Sequence, residues 1–384
     1  MKAIGIIAEY NPFHNGHLYH INKIKEKYND YTIILVMSGN YTQRGEVSII
    51  DKWKRKDIAL KYGVDLVIEL PFPFSTQSAD FFSYGAITIL EKLKVERLIF
   101  GSESNNIKDL ELIAKTELEN ELFDHLVSLY SKMGYNYPTS LSKALEDLTG
   151  KRIDTPNDLL GISYIKTILK HKYNIKYESI KRTNNYHDKE DNNDIVSAST
   201  VRNNIFNNID ISNQVPEETY SNIDIIHKMD DYFPLLKYKI ISEDDLSIYQ
   251  TVDEGIDKLL KKEIVNCNSY DELINKVKSK RYTYNKISRM LLHILCNFTK
   301  EKASKLNEIR YIRLLGFNDK GRSYLNEIKK DIDIPIISKI NREKDEMLEY
   351  EIDTTLIYDL IYNEELIKKE FHNILLVGDN NDKE

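Results

Sequence analysis

Two imidazoles three positions apart, His14 and His17, enclose Asn15-Gly16 within the run Asn11-Pro12-Phe13-His14-Asn15-Gly16-His17. An apolar run at 4–8 precedes them, and Leu18, Ile21, Ile24 and Tyr28 follow at helical spacing. The pair therefore sits where a strand ends and a helix begins. Such a turn suits phosphate, because the first N–H groups of a helix donate and carry positive potential, and Gly16 keeps a Cβ out of the approach. As donors, two imidazoles facing one triphosphate would stabilise charge developing on the α- and β-phosphates as pyrophosphate departs. Neither needs to be a nucleophile. An isolated HxxH pair reads more simply as two unrelated histidines, but the strand, the Asn-Pro-Phe turn and the amphipathic helix reverse that preference. A zinc site lacks a third ligand at convincing spacing and no HExxH occurs, so no metal ligand is assigned.

A second phosphate-directed element is Ser197-Ala198-Ser199-Thr200-Val201-Arg202, which follows a polar segment at 183–194 with the composition of a solvated loop or lid. Ser199 and Thr200 are expected at the cap or first turn of a helix, their hydroxyls and amides meeting phosphate and Arg202 supplying counter-charge. An ordinary capped helix is the plain alternative.

A third feature is basic. Residues 276–300 carry Lys276, Lys278, Lys280, Arg281, Lys286, Arg289 and Lys300 and no acid, in a chain of net charge −7. Ile287, Leu291, Ile294 and Phe298 form an apolar stripe, while Lys286, Arg289 and His293 fall on another face. Tyr282 and Tyr284 interleave with the charges and could stack on bases. A charge run is usually a solvated face; an acid-free one in an acidic protein favours a patch that meets phosphate.

The elements that must position these groups alternate. Apolar runs at 4–8, 33–37, 66–70 and 97–100 read as strands, with a fifth at 177–181; helical stretches fall near 53–62 and 79–93. This rhythm predicts an α/β fold with a parallel sheet, and ligands then bind beyond the carboxyl ends of the strands. Residues 105–170 read as helical, with breaks near Tyr137-Pro138 and Thr155-Pro156-Asn157. After about 210 strand signals fade, which predicts an N-terminal domain at 1–210 and a mainly α-helical C-terminal domain at 211–384. The tail at 378–384 reads as disordered. The 384 residues are 41% hydrophobic and 30% charged, enough for a sizeable core. No apolar stretch approaches the roughly 20 residues of a membrane span. Cys267 and Cys296 have no CxxC spacing, and the first residues are too short a run for a secretion signal, so a cytoplasmic protein is expected.

Several segments together make the chain resemble the bacterial tRNA(Met) cytidine acetate ligase family, within the HIGH-type nucleotidyltransferase superfamily. They are Ile7-Ala8-Glu9-Tyr10-Asn11-Pro12-Phe13-His14-Asn15-Gly16-His17, Met37-Ser38-Gly39-Asn40-Tyr41-Thr42-Gln43-Arg44-Gly45-Glu46 and Gly63-Val64-Asp65-Leu66-Val67-Ile68-Glu69-Leu70-Pro71. Pro156-Asn157-Asp158-Leu159-Leu160-Gly161, Ser179-Ile180-Lys181-Arg182 and Leu314-Leu315-Gly316-Phe317-Asn318 continue the match downstream. Val47 departs from the proline usual after Gly-Glu. The resemblance implies a Rossmann-like catalytic domain and ATP contacts from the segment at 7–20, which continues through Leu18, Tyr19 and His20, together with Gly101, Asn157 and Arg182. It further implies Mg2+ accompanying ATP, with acetate and elongator tRNA(Met) as partners and neither DNA nor a membrane. Gly101 and Arg182 also end predicted strands at the ligand edge. Asn157 has no such separate support, since an Asn after Pro is commonly a turn or cap residue. Two other functions fit the same nucleotide turn: an adenylyltransferase for a small phosphorylated metabolite, and a non-catalytic RNA-binding protein that keeps a nucleotide fold.

Overall fold

The computed structural model describes residues 1–182, 195–253, 255–280, 282–340 and 345–372. The polar segment at 183–194, Arg281 and the tail expected to be disordered lie outside the described residues. Among the described residues, seven strands form one sheet in the order β5-β4-β1-β2-β3-β6-β7. β1 (Ala3–Ala8), β2 (Thr32–Ser38), β3 (Leu66–Leu70), β4 (Arg97–Ser102) and β5 (Lys176–Lys181) run parallel. Every residue of β2 and β3 is buried. That accounts for their unbroken apolar sequence, since a strand covered on both faces has no solvent side to keep polar.

Two strands come from the second half of the chain, where periodicity predicts mainly helix. β6 (Ile312–Phe317) pairs antiparallel with β3, placing Ile68 opposite Leu314, and β7 (Ile336–Ile337) extends the sheet in parallel with β6. Arg313 and Gly316 interrupt the apolar pattern of β6, which disguises it. Arg313 is buried because its guanidinium meets Glu370 at 3.2 Å. Helices otherwise predominate among the described residues of 211–372; one apolar cluster runs from Ala3 in β1 to Leu366, and a smaller one joins Ile49 and Ile50 to Val201 and Ile205. No helix among the described residues is long and apolar enough to cross a membrane.

The helical connections begin where their caps dictate. The Lys52–Lys61 helix starts at Asp51, whose carboxylate accepts from the N–H groups of Trp53 (2.8 Å) and Lys54 (3.2 Å). Helices Ile107–Glu119, Glu121–Lys132, Tyr137–Thr149 and Pro156–His171 occupy the stretch between β4 and β5. Breaks fall at both predicted proline sites, and a further one at Asn120, which caps the second of these helices through Leu122 N at 2.9 Å.

Candidate active site

The histidine turn leaves the carboxyl end of β1 and enters the Asn15–Lys27 helix. His14 is the N-cap: its Nδ1 accepts from the Gly16 N–H at 3.0 Å. His17 closes the box in reverse, its Nδ1 accepting from the His14 N–H at 3.2 Å. Histidines thus replace the Ser and Glu usual in this reciprocal motif. The consequence is chemical. Each Nδ1 is an acceptor, so in the neutral ring the proton resides on Nε2. The two rings lie 3.8 Å apart, centroid to centroid. A Cβ on Gly16 would stand 2.8 Å from His14 Cε1, so glycine is required here first by the ring that caps it.

The rings are also held neutral. Burial, then the nearby Arg182 and Arg202, push His14 down to about 3. Burial, then His14, Arg182 and His20, hold His17 well below the usual range, and burial with Arg182 brings His20 to about 4. Nε2 of His14, Nε2 of His20 and Nε of Arg182 are buried with no partner among the described residues. Buried donors without partners are costly in an apolar setting. Clustered around one turn, they describe a seat for an oxyanion.

The remaining walls come from neighbouring strands. Arg182 follows β5, its N–H donating to Ser102 O at 2.9 Å at the end of β4. Its aliphatic stem crosses Gly101, where a Cβ would sit 3.1 Å from Arg182 Cγ. Asn157 lies in the first turn of the Pro156–His171 helix, its Oδ1 3.5 Å from Arg182 Nη1 and its Nδ2 donating to Glu103 at 2.5 Å. Glu103 also accepts from Asp158 N at 3.1 Å. Glu103 therefore orients Asn157 and sets a negative charge near the guanidinium. No motif marks Glu103 in the sequence; a carboxylate two residues beyond Gly101 at a strand end is the available signal.

The Ala198–Phe206 helix completes the arrangement. Its cap is Ser197, which accepts from Thr200 N at 3.1 Å; Ser199 and Thr200 are first-turn residues and exposed. Arg202 from the same helix donates to Asn11 O at 2.7 Å, and Ile195 approaches the Gly16 Cα side, 3.4 Å from where a Cβ would be. The histidine turn, Gly101, Asn157, Arg182 and Ser199-Thr200 thus share one edge of the sheet.

Not all of 7–20 can meet a ligand through side chains. Tyr10 and Phe13 are core residues, Phe13 stacking on Tyr62 at 5.5 Å. Asn11 Oδ1 accepts from Ile49 N at 2.8 Å, and Asn15 Nδ2 donates to Asn213 O at 2.8 Å. These residues shape the turn from behind. Ile7, Ala8, Glu9, Leu18 and Tyr19 are half-buried, with Glu9 Oε1 accepting from Gln43 N at 2.6 Å, and the Asn11–Pro12 peptide is cis.

The basic segment is less uniform than its charge pattern suggests. Lys278 and Lys280 are exposed, whereas Lys276 is engaged by Glu272 and Asn266 O, both at 2.8 Å. Lys286 Nζ lies 4.3 Å over the Tyr282 ring, and half-buried Arg289 donates to Gln43 O at 3.4 Å. Arg281 is outside the described residues. Two expectations need correction. His293 lies on no polar face; it is fully buried, its ring 3.1 Å from both Gln250 O and Thr76 O. Tyr282 is no base-stacking platform, because it is buried with its hydroxyl donating to Asp253 O at 2.8 Å.

The chain is similar to known proteins over nearly its full length. The family model described as HIGH Nucleotidyl Transferase matches residues 1–373. A tRNA(Met) cytidine acetate ligase from Geobacillus sp. (strain WCH70) is 38% identical over 97% of this chain and 98% of its own. The protein of that name from Clostridium acetobutylicum is 40% identical, over 94% and 96%. The crystal structure of apo Thermotoga maritima TmcAL superposes with a TM-score of 0.88 at 30% identity, covering 98% of this chain and 100% of that one. A second crystal form, bound with alpha-thio ATP, gives 0.85 at 29% identity, over 97% of each. The chain belongs to the tRNA(Met) cytidine acetate ligase family of HIGH nucleotidyl transferases.

Proposed function

We propose that this protein uses ATP to activate acetate and acetylates N4 of the wobble cytidine, C34, of elongator tRNA(Met), giving N4-acetylcytidine. The observation that carries the chemistry is the set of neutral imidazoles with Nε2–H pointing away from their backbone anchors, next to Arg182. The relatives' name supports the substrates, and the relative bound with alpha-thio ATP supports the nucleotide.

Both reactants are sluggish. The N4 lone pair of cytidine is conjugated into the ring, and free carboxylate is a poor acyl donor. ATP removes the second obstacle. An acetate oxygen attacks the α-phosphorus, the bond to the β-phosphate bridging oxygen breaks, and pyrophosphate leaves with Mg2+ as part of the substrate salt. His14 and His17 donate from Nε2 to the charge that grows on the phosphates; neutral donors do this with no proton to lose. Arg182, beside Asn157 and Glu103, supplies fixed positive charge, and the exposed first turn at Ser199-Thr200 offers hydroxyl donors to the triphosphate. The acetyl-adenylate then meets N4. A C–N bond forms, the anhydride C–O bond breaks, AMP departs, and N4 loses a proton. An anticodon base is unpaired and can be splayed into a pocket at modest cost.

The part of the chain after 210 presents the RNA, with Lys278 and Lys280 as its exposed cations and Lys276 and Lys286 as flanking charges; Arg289 is half-buried, and Arg281 lies outside the described residues. Incubation with ATP, radiolabelled acetate and bulk tRNA tests the whole proposal. Nuclease digestion is expected to release label as acetylated cytidine from tRNA(Met). Label confined to a small-molecule product would contradict it.

A further inference from the structure

The motif Gly39–Glu46 is unused by the nucleotide site, yet it is built between the two halves of the reaction. It leaves the carboxyl end of β2 and folds back on itself. Thr42 N donates to Glu46 O at 2.9 Å, Gly45 N to Thr42 O at 2.9 Å, and Tyr41 bridges to Val47. One side is fixed to the catalytic turn, through Gln43 N and the Glu9 carboxylate at 2.6 Å. The other side rests on the Tyr284–Leu295 helix of the basic segment. Ser288 Oγ donates to Gly45 O at 2.9 Å and Arg289 Nη1 to Gln43 O at 3.4 Å. Contact here is so close that a Cβ on Gly45 would stand 2.3 Å from Arg289 N, and Gly45 has φ +86°. Glycine is thus required on both counts.

Arg44 is the exposed residue on this loop. The other guanidiniums nearby are committed to backbone carbonyls. Arg55, fully buried, serves Glu9 O at 2.6 Å, Ile50 O at 2.9 Å and Gly39 O. Arg202 serves Asn11 O, and Arg289 serves Gln43 O. Arg44 makes no hydrogen bond or ion pair among the described residues, although it is near enough to Glu9 and Arg202 to influence both electrostatically. An exposed planar fork with no partner of its own among the described residues is suited to a phosphate diester, which it can meet with two parallel N–H bonds. Acetate is a poorer match, since a carboxylate about to become a water-sensitive anhydride needs enclosure and Arg44 faces solvent.

We infer that Arg44 is a positioning residue for the RNA half-reaction, taking the backbone phosphate next to the target cytidine so that N4 meets the adenylate. The loop joins Glu9, next to the histidine turn, to the Tyr284–Leu295 helix, which follows Lys278 and Lys280 in the chain. The inference rests on the tRNA substrate proposed above.

The test compares full-length wild type with Arg44→Ala, Arg44→Lys and Arg44→Glu, using transcribed tRNA(Met), ATP and labelled acetate. For Arg44→Ala, kcat/KM for tRNA should fall roughly 10- to 100-fold, and the slope of log affinity against log salt should shrink by about 1. Arg44→Lys should recover part of the loss, keeping the charge without the fork, and Arg44→Glu should be worse than Arg44→Ala. Acetate-dependent ATP–pyrophosphate exchange, which involves no RNA, should keep its acetate KM and so report an intact fold. Unchanged kcat/KM and salt slope would overturn the assignment, as would a raised acetate KM in exchange, which would set Arg44 against the carboxylate. If wild type itself labels no RNA, the substrate proposal falls and this one with it; if wild type labels RNA and Arg44→Ala matches it, this one alone falls.

Discussion

Replacing His17 by alanine removes two things at once, a donor and a cap, and the structure separates their sizes. The Nε2–H is one of a few donors in a site where burial keeps the imidazoles neutral. Loss of one such donor costs on the order of 10²–10³ in rate, about 2.7–4 kcal/mol of transition-state stabilisation. The Nδ1 end accepts from the His14 N–H at 3.2 Å, in a half-buried setting. Losing that cap interaction costs about 1 kcal/mol of stability, which leaves a domain of this size folded at room temperature. The decisive assay is acetate-dependent ATP–pyrophosphate exchange at saturating ATP, which isolates adenylation from RNA. Under it His17→Ala should lose 10²–10³-fold on the oxyanion-donor scale while circular dichroism and thermal unfolding change little. His17→Asn, whose amide oxygen can stand in as acceptor for the cap, should recover stability without recovering rate. Exchange within about fivefold of wild type in either variant, well short of the loss of one donor, would refute the role given to Nε2.

Other outcomes follow from the same geometry. Gly101→Val places branched carbon where a Cβ already meets Arg182 Cγ at 3.1 Å, so KM for ATP should rise about tenfold or more as the guanidinium is displaced; equal KM values would contradict the placement. Burial lowers His14 to about 3 and His20 to about 4, so the unfolded chain binds protons that the folded chain refuses. Stability from these rings is therefore present above about pH 6.5 and is lost as pH falls from there towards the folded values, by up to roughly 1.4 kcal/mol per ring per pH unit; denaturant titrations at pH 7 and pH 5 should show it, and His20→Phe should flatten the difference. Lys52 is buried between Glu69 (2.7 Å) and Glu370 (2.6 Å), so Lys52→Met should cost about 3–5 kcal/mol by stranding carboxylates. Glu351→Gln should be tolerated, because burial first, then Glu69, raise its carboxyl well above the usual range, and an amide oxygen can still accept from Phe72 N.

Much of this was legible in the chain because burial on both faces writes itself as unbroken apolar runs. β1 to β4 match the strands expected from the sequence within two residues of their bounds for that reason, β5 is a half-buried edge strand with no such run, and the histidine turn is legible because strand, proline turn and helix period coincide there. What escaped was long-range. β6 carries an arginine that only a partner 57 residues away makes tolerable, and β7 is too short to have a period. No spacing rule puts Glu103 beside Asn157 and Arg182, or shows that His14 and His17 cap one another and so fix each other's tautomer. The basic helix was misread in part because a charge-free polar residue looks solvated in sequence; His293 is instead buried by two carbonyls from loops at 76 and 250.

Activation of acetate as an adenylate at the histidine turn fixes the fate of each acetate oxygen, which isotopes can follow. With doubly 18O-labelled acetate, ATP and tRNA(Met), the attacking oxygen stays on phosphorus when the anhydride is broken by N4. Mass spectrometry should then find one 18O in AMP, one in the acetyl group of N4-acetylcytidine and none in pyrophosphate. Label in inorganic phosphate with ADP as the co-product, or AMP free of 18O, would contradict the account.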